Sequence, residues 1–146
     1  MCAVVVITTV FAAVPIPGVQ GAYVNAGDAA VYASAFLLGW PWGVMIAAAG
    51  SAIADLLLGS TMYAPATFII KGLMAIISAR LLKKGNLRVL RLLAAGLVMA
   101  AGYFAYECLI YGLSAAALSV PANLVQAVLG AVLGSVIIKG IETLQK

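Results

Sequence analysis

Lys71 is the residue that most needs a physical explanation. It lies six residues beyond Pro65 in an otherwise apolar run, Tyr63-Ala-Pro-Ala-Thr-Phe-Ile-Ile-Lys-Gly72. An ammonium group inside a membrane span is expensive and needs a partner or a task. Asp28, Asp55 and Glu107 supply three carboxylates that the chain can bring to a similar depth. Residues three or four apart share one side of a helix. By that spacing Thr67 joins Lys71, Tyr103 and Tyr111 join Glu107, and Asn123, Gln126 and Gly130 form a stripe. Hydrocarbon does not tolerate such stripes, so they turn inward. With Tyr23, Asn25 and Tyr63 at the adjoining loops, they predict a polar pocket near one face of a membrane bundle. Its chemistry is recognition: tyrosines to stack on a small ring, and carboxylates to accept from hydroxyl or ring-nitrogen groups.

Each of these residues also has a plainer reading. Lys71 could pair with Asp55 or Glu107 and fix helix register, or meet a ligand. Asp28 could cap the helix it opens, and Asp55 could reach headgroup water from a span end. Tyr23 and Tyr63 suit an interfacial belt, and Asn25 suits its own turn. Asn123 and Gln126 could bond across helices.

Catalysis has less to work with. Paired carboxylates can move protons, so an intramembrane acid–base enzyme is one alternative, but no nucleophile or metal set accompanies them. Histidine is absent, and Cys2 and Cys108 are expected at opposite membrane faces, so no zinc ligand set forms. There is no Walker-type phosphate loop and no Gly-x-Ser-x-Gly elbow. No cofactor or metal is expected. The net charge of +4 is not a nucleic-acid signal, because the basic residues cluster beside apolar spans.

The elements that position these groups follow from composition. Of 146 residues, 66% are hydrophobic and 8% charged, with a mean hydropathy of +1.19. Soluble domains carry roughly 25% charged residues, so this chain belongs in lipid. Period-2 alternation is absent, which argues against a barrel. Long apolar runs argue for helices. The expectation is a single all-α domain, 1–146, of six transmembrane helices. The spans run from about Met1 to Val14, Ala29 to Leu38, Val44 to Leu58, Pro65 to Leu82 and Leu87 to Tyr111, with the sixth opening at Pro121. Residues 15–28 and 112–120 are read as loops, and Gly39 to Gly43 as a tight turn with two interfacial tryptophans. Gly43, Ala47, Ser51 and Asp55 recur every four residues, a spacing that permits close helix packing.

Arg80, Lys83, Lys84, Arg88 and Arg91 surround one short turn at Lys84-Gly85-Asn86, and Lys139 and Lys146 flank the last span. Such loops stay in the cytoplasm, which places both termini there. The loops at 15–28, 59–64 and 112–120 then face outward, next to the polar groups.

Gly21-Ala-Tyr-Val-Asn-Ala-Gly-Asp28, Leu38-Gly39 with Gly43, Gly50-Ser51, Ala54-Asp55-Leu56 and Tyr63 to Gly72, in this order, resemble the S component of an energy-coupling factor (ECF) transporter. Pro121, Asn123 and Gln126 fit as well. The resemblance is nearest to the riboflavin, hydroxymethylpyrimidine and vitamin B6 branch. It implies a six-helix, multi-pass protein of a bacterial cell membrane. Such a protein captures a small vitamin-like ligand from outside and is not itself an enzyme. Delivery is by toppling within the bilayer while bound to a T component and two ABC-type ATPase subunits. The binding site implied is the outer pocket, with Tyr23, Asn25, Asp28, Asp55, Tyr63, Lys71, Tyr103, Glu107, Asn123 and Gln126. The small residues of the early spans would meet the T component: Ala3, Thr8, Ala12, Gly43 and Ala47, with Thr9 and Ala13 as substitutes. Span one departs from the family's Ala-x-x-x-Ala pattern, since Ile7 follows Ala3. The first outer loop is a plausible gate. A self-sufficient carrier is the nearest rival within transport; a channel is a further class, disfavoured because no polar stripe continues into the inner half.

Overall fold

The computed structural model describes residues 1–81 and 87–145. The expected cytoplasmic turn at Lys84-Gly85-Asn86, with Lys83 and Lys146, lies outside the described residues. Six helices follow in order: α1 (Cys2–Phe11), α2 (Gly27–Leu38), α3 (Trp42–Leu57), α4 (Ala64–Leu81), α5 (Arg88–Tyr111) and α6 (Leu113–Leu144). Between α1 and α2, strands β1 (Val14–Pro15) and β2 (Tyr23–Val24) pair antiparallel, with Val14 opposite Val24.

That hairpin corrects the reading of residues 15–28 as simple loop. Gly18 and Gly21 adopt positive φ, 84° and 76°, which lets so short a segment fold back. Its apolar side chains Ile16, Val19 and Ala22 are buried with Tyr63 in a small cluster of their own. The larger correction concerns residues 112–120. Residues 113–120 are helix, continuous with the last span, and Pro121 lies inside α6. The break falls at one residue, Gly112, whose φ of 82° turns α5 into α6. The run Ser-Ala-Ala-Ala-Leu after it is strongly helix-forming. Pro121 is compatible with a helix start, but here it lies inside the helix, where it removes one backbone donor.

α4, α5 and α6 are long and apolar enough to cross a membrane. α6, at 32 residues, reaches about 48 Å at 1.5 Å per residue, beyond a hydrocarbon core of about 30 Å. α1, α2 and α3 are apolar but shorter, at 10, 12 and 16 residues. α5 packs along α6, α3 lies between α1 and α4, and α2 is wedged against α6, α3 and α4. The core mixes small side chains with a few large ones: Ala47, Ala75, Ala95 and Ala127 are fully buried, as are Tyr32, Met74, Leu92, Met99 and Ile138. Leu56, Ile69, Leu90, Leu109 and Val136 are exposed, as expected of a bundle whose outer solvent is lipid.

Three chain reversals meet at one end. Ser60 Oγ donates to Gly21 O at 2.6 Å, Tyr111 Oη donates to Gln20 O at 3.0 Å, and Tyr106 Oη donates to Met62 O. The hairpin is thereby fastened to the α3–α4 loop and to the end of α5. At the opposite end Arg88 Nη2 lies 2.7 Å and 2.8 Å from the two carboxylate oxygens of Glu142, joining the start of α5 to the end of α6.

Candidate functional site

Beneath the hairpin lies a polar cavity enclosed by α1, α3, α4, α5 and α6. Nine of the ten residues expected in a binding site line it: Tyr23, Asn25, Asp55, Tyr63, Lys71, Tyr103, Glu107, Asn123 and Gln126. The tenth, Asp28, is wholly buried directly behind Lys71 and Gln126. The sequence placed these residues at comparable depth; the bundle brings them into one space. The free volume among them is about 20 Å³, room for little more than a water.

Three hydrogen-bonded groups make up the lining. In the first, Lys71 Nζ pairs with Asp28 Oδ1, and Gln126 Nε2 donates to Asp28 Oδ2 at 3.0 Å. This corrects two expectations. The partner of Lys71 is Asp28, not Asp55 or Glu107, because the start of α2 packs against α4 and α6. Nor does Asp28 cap α2: the cap position is Ala26, and Asp28 sits in the first turn with its carboxylate turned inward. Gln126 Oε1 also accepts from the Asn25 backbone N–H at 2.9 Å, while Asn25 Oδ1 accepts from Gly27 N at 2.7 Å. Asn25 is thus both a turn residue and a tie to α6.

In the second group the Tyr23 hydroxyl donates to Asp55 Oδ1, linking the hairpin to the end of α3. Burial first, and then the adjacent Asp55 carboxylate, hold the Tyr23 phenol well above its ordinary range, so it stays a donor. Thr67 Oγ1 and Tyr103 Oη are 2.9 Å apart, and the Tyr103 ring centroid lies 5.7 Å from Lys71 Nζ. That is within reach of a cation–π contact. In the third group Glu107 accepts from Tyr63 Oη at 3.1 Å and from Ser119 Oγ, while Asn123 Nδ2 reaches Ser119 Oγ at 3.4 Å. Tyr63 is only 4% exposed, so it belongs to the interior and not to an interfacial belt. Its ring stands edge-on to Tyr106, with centroids 5.6 Å apart.

The arrangement can grip a small polar molecule from several sides at once. It offers aromatic faces, one cation already paired, and carboxylates at separate points. Among the described residues Asp28, Asp55 and Glu107 do not gather into a metal-ligating group.

Ser51, Thr9 and Ser119 were not expected at the site. Ser51 and Thr9 line the cavity, and Ser119 holds Glu107. Ser51 was legible only as part of a small-residue stripe, although it stands four residues before Asp55. Thr9 is expected only as a substitute docking residue, but it is 3% exposed and packs against Gly27. Ser119 was hidden by the reading of 112–120 as loop. A helix continued through Pro121 would have put it on the stripe of Asn123 and Gln126.

The proposed T-component residues divide. Ala3 is exposed, and Thr8 and Ala12 are half-buried beside an apolar groove of about 590 Å³ between α1, α2 and α6. Gly43 and Ala47 are buried instead. A Cβ on Gly43 would stand 2.4 Å from Ser34 O, and Ala47 is 0% exposed. Their smallness serves contact within the bundle.

A polar recognition site inside an apolar helical bundle defines a membrane-embedded binding protein. The sequence matches, over residues 1–143, the family described as ECF-type riboflavin transporter, S component, and the chain belongs to that family. It is also 34% identical over 134 residues to a Pyrococcus woesei protein described as "Uncharacterized protein in gap 3'region", covering 89% of this chain and 88% of that one. That relative is archaeal, so the likeness does not single out a bacterial source. As a member of an S-component family, the chain is a substrate-binding transporter subunit and a multi-pass membrane protein.

Proposed function

We propose that the chain is the substrate-specificity subunit of an ECF-type importer, taking up a small vitamin or vitamin precursor. A hydroxymethylpyrimidine or pyridoxine-like ring is favoured. The observation that carries this choice is the lining itself: three tyrosines and two separate carboxylates around a space of about 20 Å³. A single small ring needs the least opening to enter it. Riboflavin is the second reading, favoured by the membership of the chain in a family of riboflavin-transporter S components; its larger ring system requires wider displacement of the hairpin.

In this reading all six helices span or enter the membrane as one domain, 1–146, of the cell membrane. Both termini are cytoplasmic, and the hairpin end faces outward. The hairpin is the gate. Its closure over a ligand excludes water, which strengthens the hydrogen bonds beneath it. Asp28, although shielded by Lys71, belongs to the binding machinery as the counter-charge that fixes the ammonium. The bound form is handed over by toppling on a T component, with α1 and its residues Ala3, Thr8 and Ala12 at the contact. Two partner ATPases supply the energy, and this chain catalyses nothing.

Native mass spectrometry of gently purified protein tests the whole reading. The expected result is a vitamin-sized mass together with a T component and two ATPases. A solitary protein that binds no pyridoxine, hydroxymethylpyrimidine or riboflavin, and whose uptake survives deletion of the partner ATPases, would establish a self-sufficient carrier instead.

A further inference from the structure

The polar cavity has about 20 Å³ of free space, so anything larger than a water needs an opening. A second cavity, of about 260 Å³, lies at the same end of the bundle. The hairpin tip at Gln20 and Gly21, the α3–α4 loop and Tyr111 at the end of α5 line it. Gln20, Gly21, Gly59, Thr61 and Met62 are exposed, so this outer cavity is open at the surface. The two cavities share Gly21 and Tyr63 in their linings. Gly21 contributes no side chain, and a Cβ there would stand 3.5 Å from Tyr63 Cε2. The wall between the cavities is the Tyr63 ring, lying against bare backbone.

Two motions would open that wall, and they differ in what they break. Lifting the hairpin as a body breaks the bonds of Tyr23 to Asp55, Asn25 N–H to Gln126, Ser60 to Gly21 O and Tyr111 to Gln20 O. It also strips Ile16, Val19 and Ala22 from their buried cluster. Turning the Tyr63 side chain breaks its 3.1 Å bond to Glu107. The backbone beneath the ring stays in place. Tyr63 N–H donates to Ser60 O at 2.9 Å, and Tyr63 O accepts from Thr67 N–H at 2.7 Å, so the first turn of α4 holds the Cα. The outer cavity gives the ring somewhere to go, with Met62 and Tyr111 there to replace the apolar contacts it leaves. Glu107 stays held by Ser119 meanwhile, and the oxygen that Tyr63 releases is presented to whatever enters.

We infer that Tyr63 is the moving leaf of the gate: its ring withdraws from the inner cavity into the outer one, the ligand passes across Gly21, and the ring closes behind it. This rests on the substrate-binding reading above and assigns the part of the gate that moves. The hairpin is the frame against which the leaf closes. For a single small ring the leaf is enough; a larger ring system needs the frame displaced as well. The outer cavity has a task of its own, to receive the Tyr63 ring, so its free volume sets the rate of access to the inner site.

The test needs no ligand. Ser51 lines the inner cavity and is 2% exposed. In the full chain in lipid nanodiscs, with Cys2→Ser and Cys108→Ser removing the native thiols, Ser51→Cys places a thiol there. Its rate of modification by 2-(trimethylammonium)ethyl methanethiosulfonate reports how often the cavity opens. Tyr63→Phe keeps the ring and drops the Glu107 bond, so it should speed modification at least threefold. Gln20→Trp and Thr61→Trp fill the outer cavity from two sides and leave the inner lining alone; each should slow modification at least threefold, which a purely structural role for Tyr63 does not predict. Tyr111→Phe frees the hairpin tip from α5 and should stay within threefold of the parent protein. A hairpin that lifts as a body gives the opposite pattern: Tyr111→Phe speeds modification threefold or more, and filling the outer cavity changes the rate less than threefold. Either of those results, or Tyr63→Phe less than threefold faster, would overturn the inference. Thermal unfolding checks that each variant is folded, and Thr67→Cys on α4 reports from the same cavity if Ser51→Cys does not fold. Co-purification with a T component is scored in parallel. If it persists while the labelling pattern fails, the gate falls and the subunit reading stands; if the pattern holds while no vitamin and no T component bind, the subunit reading falls and Tyr63 still controls access to the cavity.

Discussion

Gly130 of α6 lies directly against the side chain of Asp28 on α2. A Cβ at position 130 would come within 2.7 Å of Asp28 Cβ, closer than real side chains approach. One turn further on, Gly134 meets Tyr32 in the same way, at 2.7 Å. The two glycines let α2 approach α6 closely enough for Gln126 to reach the Asp28 carboxylate. Gly130→Ala is therefore expected to push the helices apart, at a cost typical of overpacking, about 1–3 kcal/mol. It should also weaken ligand binding, because Asp28 moves away from Lys71. Thermal unfolding and titration of the variant check this; wild-type values for both would show that the seam has slack.

The Lys71–Asp28 pair predicts a strong non-additivity. Both side chains are buried, at 4% and 1% exposure. Removing one partner strands a charge and costs about 3–5 kcal/mol, whereas replacing both by apolar residues can be nearly neutral. Lys71→Met and Asp28→Leu should each destabilise severely, and the double variant should be more stable than either. Purely additive losses in a denaturation cycle would mean that the pair does not act as a unit.

Tyr23→Phe removes the hydrogen bond that ties the hairpin to Asp55. A buried acceptor stripped of its partner costs about 1–3 kcal/mol. Most of the effect should fall on the hairpin, seen as faster amide exchange across residues 14–24 and faster ligand release. Unchanged exchange there would assign the closure to the Ser60–Gly21 and Tyr111–Gln20 bonds instead.

Glu107→Ala is expected to weaken substrate binding at least tenfold with membrane insertion intact, since it also leaves the Tyr63 hydroxyl without its acceptor and Ser119 with only the Ala116 carbonyl. Affinity equal to wild type would take Glu107 out of the site.

Arg88→Ala should matter little. The Arg88 and Glu142 side chains are 16% and 28% exposed, and partly solvated pairs contribute on the order of 0–1 kcal/mol. A loss above about 2 kcal/mol by chemical denaturation would indicate a structural role for this end of α5 and α6 that surface electrostatics does not supply.

Much of the candidate site was legible in the sequence because lipid is an unforgiving solvent. A lysine, three acids and two amides in apolar helices have nowhere to go but inward, and spacings of three and four residues tell which of them share a face. That reasoning needs no tertiary structure. It found nine residues of the cavity lining and the carboxylate behind them, and the order of the Gly21–Gly72 motifs was enough to indicate the family.

Pairing was beyond it. Whether Lys71 meets Asp28, Asp55 or Glu107 depends on which helices are neighbours and how closely they pack, and that is decided by Gly130, Gly134 and the burial of Gly43 against Ser34. Helix continuity through Pro121 was equally hidden, since proline is compatible with a helix start and with an exposed interior position. Only the neighbouring α5, with Glu107 reaching across to Ser119, discriminates between the two. The same holds for Ser51: a serine in a small-residue stripe is ordinary in sequence. It gains meaning once the fold buries it in the cavity lining. Residue chemistry and helical period set the inventory of polar groups and the side of each helix they occupy; the close approach of helices, a property of the whole bundle, set which groups bond and which face the cavity.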